Sequence, residues 1–289
     1  MDIRATLMGL AFALMWSSAF TSARIVVTHV PPLGASALRF LIAGCLAVII
    51  ARALGQSWRL TSGQMRATAI FGICQNALYL GLFFVAMQTI EASLAAIIAS
   101  SMPLLVALAG LVIFGERVRP AGIAGLVAGF LGVIIIMLSR LQDGNADPFG
   151  IALCLIGVMA LAFATLAVRG ASSGGNVVMV VGLQMLVGAA VLAPASLLLE
   201  SWRAEWTPQV IAAFAYTVIV PGLVGTLTWF QLVRRIGAVK ASTFHFLNPF
   251  FGVVIAWALL GEPLRMWDAV GVAVIMAGIL AVQLSRQPD

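Results

Sequence analysis

Two stretches of this chain, 146 residues apart, carry a proline inside an apolar run. The first runs from Ala95 to Val106 around Ser100-Ser101-Met102-Pro103, the second from Ala241 to Gly252 around Phe246-Leu247-Asn248-Pro249. Each continues to a Gly-Glu pair, Gly115-Glu116 and Gly261-Glu262. Residues 84–140 and 230–286 align without a gap, with thirteen identities in 57 pairs. They include Pro103/Pro249, Gly125/Gly271, Gly132/Gly278 and Ser139-Arg140/Ser285-Arg286. Apolar composition supplies several matches by itself, but not the ungapped Pro, Gly-Glu and Gly set, so the chain is read as internally duplicated. The prolines add a restriction. A proline within an apolar helix frees backbone groups that lipid cannot satisfy, and is tolerated where neighbours or a water-filled cavity satisfy them.

Of 289 residues, 62% are hydrophobic and 9% charged, too little polar surface for a soluble protein of this size. Apolar segments recur at about 5–26, 34–53, 66–86, 93–114, 120–139, 148–168, 177–199, 209–232, 239–260 and 267–285, each long enough for a hydrocarbon core of about 30 Å. Turn signals separate them, among them Val30-Pro31-Pro32-Leu33-Gly34, Thr61-Ser62-Gly63, Asp143 to Pro148, Ser172 to Asn176 and Trp206-Thr207-Pro208. No loop is long enough to form a domain. The first apolar run continues into Trp16-Ser17-Ser18 and is itself a span, so no cleavable signal peptide is expected. The net charge of +6 comes from arginines in short loops and does not point to nucleic acid. Cys45, Cys74 and Cys154 lie inside apolar segments without metal-ligand spacing, which predicts packing roles and no disulfide.

The basic residues orient the chain. With the N-terminus in the cytoplasm, that side carries Arg4, Arg52, Arg59, Arg66, Arg117, Arg119, Arg169, Arg234, Arg235, Lys240 and Arg286. The other side carries Arg24, Arg39, Arg140, Arg203 and Arg265. Eleven against five places both termini inside. Trp58, Trp202, Trp206 and Trp267 fall near span ends, where interfacial aromatics belong. Residues 1–140 then hold five spans, and residues 141–289 hold five more that run upside down. An inverted repeat with central prolines predicts a secondary transporter, its site near the midplane between the halves.

Two five-helix halves, Trp16-Ser17-Ser18 in the first helix, mid-helix prolines in the fourth and ninth, and Gly-Glu closing both resemble the drug/metabolite transporter superfamily, in its EamA-domain branch. The resemblance covers essentially the whole chain, and topology and duplication carry it more than any one motif. It implies an all-α basket of ten transmembrane helices around a central cavity, with the fifth and tenth helices outside. It also implies a multi-pass protein of the bacterial inner membrane without a cofactor. Within the branch the chain is similar to bacterial exporters of aromatic and other neutral amino acids. Relatives with the same skeleton move different metabolites, so a multidrug or other metabolite exporter is the alternative. One departure is the opening helix of the second half, Gly157 to Phe163, which has no tryptophan opposite Trp16.

Four features carry candidate chemistry. On the third span Gln75, Asn76, Tyr79 and Phe83 fall at spacings of three and four, hence on one face. They either line a cavity or hydrogen-bond between packed helices. A Gln-Asn pair brings four donors and matching acceptors, more than one helix contact usually uses. The duplicated position has Pro221-Gly222, so the eighth span is expected to be irregular where the third is polar. On the ninth span His245 and Asn248 stand at i and i+3 before Pro249. A histidine within a span is a functional hypothesis; the alternative is a neutral imidazole donating to a carbonyl freed by the proline. Ser100, Ser101 and Met102 precede Pro103, and their face is read as cavity, although a serine beside a kink can back-bond to the preceding turn. Trp16 sits near the middle of the first span, away from the interface, where its ring can stack on a substrate, attract an ammonium group or fill the bundle core. Phe163 on the sixth span is a further candidate.

Arg39 lies five residues into the second span, and its counterpart is Gln184. Snorkelling outward is the preferred reading, with an outer gate or a carboxylate contact as the alternative. Gly122, Gly125, Gly129 and Gly132, with Gly271 and Gly278, read as packing notches or a dimer contact. Glu116 and Glu262 are expected to cap the next helix or to pair with Arg119 and Arg265. Except for Asp268 at the edge of the tenth span, no Asp or Glu lies within a span, which favours uniport or a proton link through His245. No phosphate-binding GxxxxGK[ST] loop, metal set or clustered nucleophile is visible, so neither ATP drive nor an enzyme is expected. An aromatic, polar, uncharged site suits a zwitterion with an apolar side chain, and the expected partners are that small molecule and the lipid bilayer, with the protein a monomer or homodimer.

Overall fold

Among the described residues, nine helices are long and apolar enough to cross a membrane, and a shorter apolar helix covers Phe244–Leu260. The structure is a computed structural model and describes residues 3–113, 115, 119–142, 144, 147–167, 174–201, 203–237, 241 and 243–285. Glu116, Arg117, Arg169, Ser172, Ser173, Trp202, Lys240 and Arg286 lie outside the described residues. The helices are α1 (Ile3–Val27), α2 (Pro32–Ala53), α3 (Ser62–Ala86), α4 (Ala92–Ala99), α5 (Met102–Val112), α6 (Pro120–Gln142), α7 (Pro148–Ala167), α8 (Val177–Leu199), α9 (Pro208–Ile236), α10 (Asn248–Leu260) and α11 (Met266–Ser285). Among the described residues there is no strand.

The two repeated prolines mark helix breaks. Pro103 lies in the first turn of α5, after an interruption at Ser100-Ser101 that ends α4. Pro249 lies in the first turn of α10, after a 3₁₀ turn at Thr243–Leu247. A proline has no N–H to give the carbonyl four residues back, whereas in a first helical turn that N–H has no intrahelical partner anyway. The loosened carbonyls of the first break find hydroxyls: Ser100 Oγ donates to Ile97 O at 2.6 Å and Ser101 Oγ to Ile98 O at 2.7 Å.

A second irregularity is matched between the halves. Residues Gly72–Leu80 of α3 and Val218–Gly225 of α9 wind as π-helix, and the two stretches start 146 residues apart. Such wide turns are rare and concentrate at functional sites.

The described chain forms two compact units, each built from both halves of the sequence. The first comprises Met1–Thr21, Thr89–Ala152 and Gly225–Asp289. Within it α6 packs antiparallel on α11 through the glycines. A Cβ on Gly125 would lie 2.8 Å from Gly278 O, and one on Gly132 would lie 3.0 Å from Gly271 O. The exchange is reciprocal, since Gly278 and Gly271 are the repeat counterparts of Gly132 and Gly125. Without a hydrophobic drive between helices in lipid, such backbone approach is what holds them together. α4 lies antiparallel to α10, with Ala96 against Gly252.

The second unit comprises Ser22–Gln88 and Leu153–Val224. Here α2 runs antiparallel to α8, with Gly44 and Gly182 in the contact. The two helices cap each other. Glu200, just past α8, accepts from Leu33 N at 2.7 Å and Gly34 N at 2.9 Å at the start of α2. Gln56, just past α2, accepts from Met179 N at 3.0 Å in the first turn of α8. Both satisfy backbone donors that a helix start leaves open.

Ions cluster at one end of the first unit. Arg140, fully buried, donates from Nε and Nη2 to the Asp268 carboxylate at 3.1 and 2.7 Å, from Nη2 to Ser93 Oγ at 3.1 Å, and from Nη1 to Glu91. Arg265 donates to both oxygens of Glu91 at 2.9 and 3.1 Å. Two cations thus meet two anions. Burial by itself raises the Glu91 carboxyl, but hydrogen bonds and charge from Arg265 and Arg140 outweigh it and hold the group below its ordinary range. Glu262 corrects the sequence reading. It accepts from Ala92 N at 2.7 Å and Ser93 N at 3.0 Å, capping α4 rather than the helix that follows it, and Arg265 pairs with Glu91 instead.

Candidate substrate-binding site

In the first unit an aromatic cluster gathers three of the sequence candidates. Phe12, 1% exposed, lies 5.5 Å from Trp16, 4.9 Å from Trp229 and 5.3 Å, edge to face, from His245, between ring centroids. Trp229 and His245 are 5.1 Å apart. The His245 Nδ1 is paired at 3.0 Å with the Asn248 side-chain amide, not with a carbonyl freed by Pro249. Ser17 Oγ donates to the backbone carbonyl of Asn248 at 3.2 Å, tying α1 to the start of α10. Asn248 is buried, and among the described residues its Oδ1 has no hydrogen-bond partner. Phe12 and Trp229 were not singled out in the sequence. Phe12 precedes Trp16 by one helical turn, and Trp229 lies inside a long helix as Trp16 does, so both signals were present.

Ser100, Met102 and Pro103 also belong to this unit, as does Pro249. Ser100 is buried and its hydroxyl serves the preceding turn, while Met102 and Pro103 are half-buried.

The second unit holds Arg39, Gln75, Asn76, Tyr79 and Phe163. The polar stripe falls within the π-helical part of α3. Asn76 and Tyr79 are buried and Gln75 is half-buried. Asn76 packs against Gly188 of α8, where a Cβ would come within 2.5 Å of its own. Tyr79 packs at a tilt against Phe83, ring centroids 4.6 Å apart, and Phe83 in turn rests on Gly157 of α7. Among the described residues, the amides of Gln75 and Asn76 and the Tyr79 hydroxyl make no hydrogen bond to protein groups. Interhelical hydrogen bonding therefore does not account for this stripe. Phe163, by contrast, is 60% exposed on α7.

Arg39 departs from the expectation of snorkelling. It is 7% exposed, and its guanidinium carbon sits over the Phe40 ring at 4.3 Å and the Phe84 ring at 4.5 Å. A charge deep in a span costs about 2.5–3.5 kcal/mol on insertion scales. A desolvated cation–π contact contributes about 2 kcal/mol, so two rings can offset much of that. The stacked position wins over the extended one because Phe84 brings a second ring from α3. Tyr79 lies within electrostatic reach of Arg39.

The chain belongs to the EamA-like transporter family, whose profile matches residues 3–138 and again 148–284. It is accordingly a transporter of the drug/metabolite superfamily. It is 27% identical to an uncharacterized transporter of Archaeoglobus fulgidus over 94% of this chain and 95% of that one. It is also 27% identical to the uncharacterized inner membrane transporter YedA of Escherichia coli K12, over 97% of this chain and 91% of that one. One crystal structure of a protein 21% identical covers 98% of this chain and 99% of its own with a TM-score of 0.71, a likeness of fold.

Proposed function

We propose that the chain is a secondary exporter of small amphipathic metabolites, foremost neutral amino acids including aromatic ones, working by alternating access. The observation that carries this reading is the stripe of Gln75, Asn76 and Tyr79, whose polar groups have no protein partner among the described residues. Polar groups in a span need a partner, and a carried solute or its water supplies one. Residues 1–140 and 141–289 are the two inverted five-helix repeats of this reading, giving ten spans. The reciprocal glycine contacts of α6 and α11, the mutual caps of α2 and α8 and the matched π stretches support it. The name of the Escherichia coli relative supports a bacterial inner membrane, and the arginine asymmetry supports cytoplasmic termini. Trp16, His245 and Asn248 are candidate substrate contacts within the first unit, and Arg39 is a candidate outer gate within the second. Uniport is favoured, because the buried Asp268 carboxylate is committed to Arg140.

The test is transport of labelled amino acids in liposomes with and without an imposed pH gradient. Uptake by counterflow, independent of the gradient, is expected. No movement of any amino acid would overturn the substrate class, and strict dependence on the gradient would overturn uniport.

A further inference from the structure

No anion among the described residues faces the charge of Arg39. Among the described residues it makes no ion pair and no hydrogen bond, and its Nε is buried without a partner. One helical turn earlier on α2, Ser36 is fully buried and its Oγ is likewise without a partner. Residues three apart lie on one face of a helix, so Ser36 and Arg39 share a face of α2. The rings of Phe40 and Phe84 attract the guanidinium through its π-face. They do nothing for its five N–H donors, which lie in the guanidinium plane and match the two oxygens of a carboxylate. A buried arginine without an anion is the arrangement that membrane proteins ordinarily avoid.

We propose that Arg39, with Ser36 on the same helix face, binds the carboxylate of the transported molecule. The inference rests on the exporter reading and sharpens it. The substrate must carry an acid group, and the guanidinium stacked on Phe40 and Phe84 is the fixed point that the group meets. Plain amines and cationic drugs lack that group. The same chemistry would accept the phosphate of a lipid headgroup, a source the experiment separates.

The experiment compares phenylalanine, 3-phenylpropanoate and phenethylamine as ligands of the full chain purified in a non-ionic detergent, read by thermal shift, and then as substrates in liposomes. The variants are Arg39→Met, Arg39→Lys and Ser36→Ala. Both carboxylate-bearing probes should stabilise the wild type. Arg39→Met should weaken them, relative to phenethylamine, by tenfold or more. Arg39→Lys should fall between, because it keeps the charge and loses the fork, and Ser36→Ala should weaken them severalfold. Without ligand, Arg39→Met should melt at or above the wild type, since it removes an unpaired buried charge. A marked loss of unliganded stability with unchanged carboxylate preference would make Arg39 a packing residue and overturn the proposal. So would a wild type that responds to phenethylamine alone, or Arg39-dependent stabilisation by a short-chain phosphatidylglycerol and by neither carboxylate. Arg39-dependent carboxylate binding without transport of phenylalanine would uphold the anion site and overturn the amino-acid substrate.

Discussion

Arg140 and Asp268 form a two-pronged ion pair at 3.1 and 2.7 Å, with the arginine fully buried and the aspartate 2% exposed. Each sits at the end of a helix whose glycines interlock with the other's. Removing one partner strands a buried charge, which costs about 3–5 kcal/mol. Asp268→Asn should therefore lower the melting temperature in detergent sharply. The double variant Arg140→Met/Asp268→Leu should recover a large part, because Glu91 keeps Arg265. A double variant no better than the single one would mean that the pair supplies more than charge balance.

Acid should loosen the same end of the first unit. A carboxylate held below its ordinary range adds stability that is complete above the unfolded pKa and disappears as pH falls through the folded one. Glu91 is such a group, and so is Asp147, held low by the Phe149 and Gly150 amides and the Thr89 hydroxyl. Melting temperature should stay level from neutrality to the ordinary carboxylate range, then fall below it. Glu91→Gln should be less stable at neutral pH and show a shallower acid fall. An equally steep fall in this variant would place the acid sensitivity elsewhere.

Substitutions in the candidate site should spare the fold and impair transport. Asn76→Ala, Tyr79→Ala and Trp16→Ala are each expected to reduce counterflow several-fold at equal membrane yield, while Gln142→Ala, exposed at the end of α6, should not. Full transport of every amino acid by all three would remove them from the site.

The prolines give a test of gating. Alanine at Pro103 restores an N–H, so α4 and α5 should fuse, and Pro249→Ala should let the 3₁₀ turn join α10. Both variants should insert normally and transport slowly. In oppositely oriented repeats they should bias side-specific labelling in opposite senses. Shifts in the same direction would exclude gating by these breaks.

Orientation can be read by single cysteines. Positions Gly144 and Ser201 should react with an impermeant external reagent, and Ser62 should not. Labelling at Ser62 with protection at Gly144 would invert the topology.

Much of this was visible in the residues. Apolar length located the spans to within a few residues, and the repeat offset marked both breaks through Pro103 and Pro249 and the irregular stretch of α9 through Pro221. What escaped was partner choice. The sequence says where Arg39 stands along α2 but not that Phe84, from another helix, offers it a ring. Likewise Glu262 has a cap to fill next to it in the chain, yet it fills one 170 residues away. The nine residues of the π stretch are too few for the apolar pattern to separate wide turns from ordinary ones.

The mutual capping of α2 and α8 has a mechanical consequence. Each helix is registered against the other at both ends, by Glu200 on Leu33 and Gly34 and by Gln56 on Met179. The two anchor points are about 30 Å apart, at 1.5 Å per residue over helices of 22 and 23 residues. Sliding one helix past the other by a single turn would break both anchors at once. The pair therefore behaves as a stiff strut, able to tilt but not to shear, and a displacement imposed at one membrane face reaches the other undiminished.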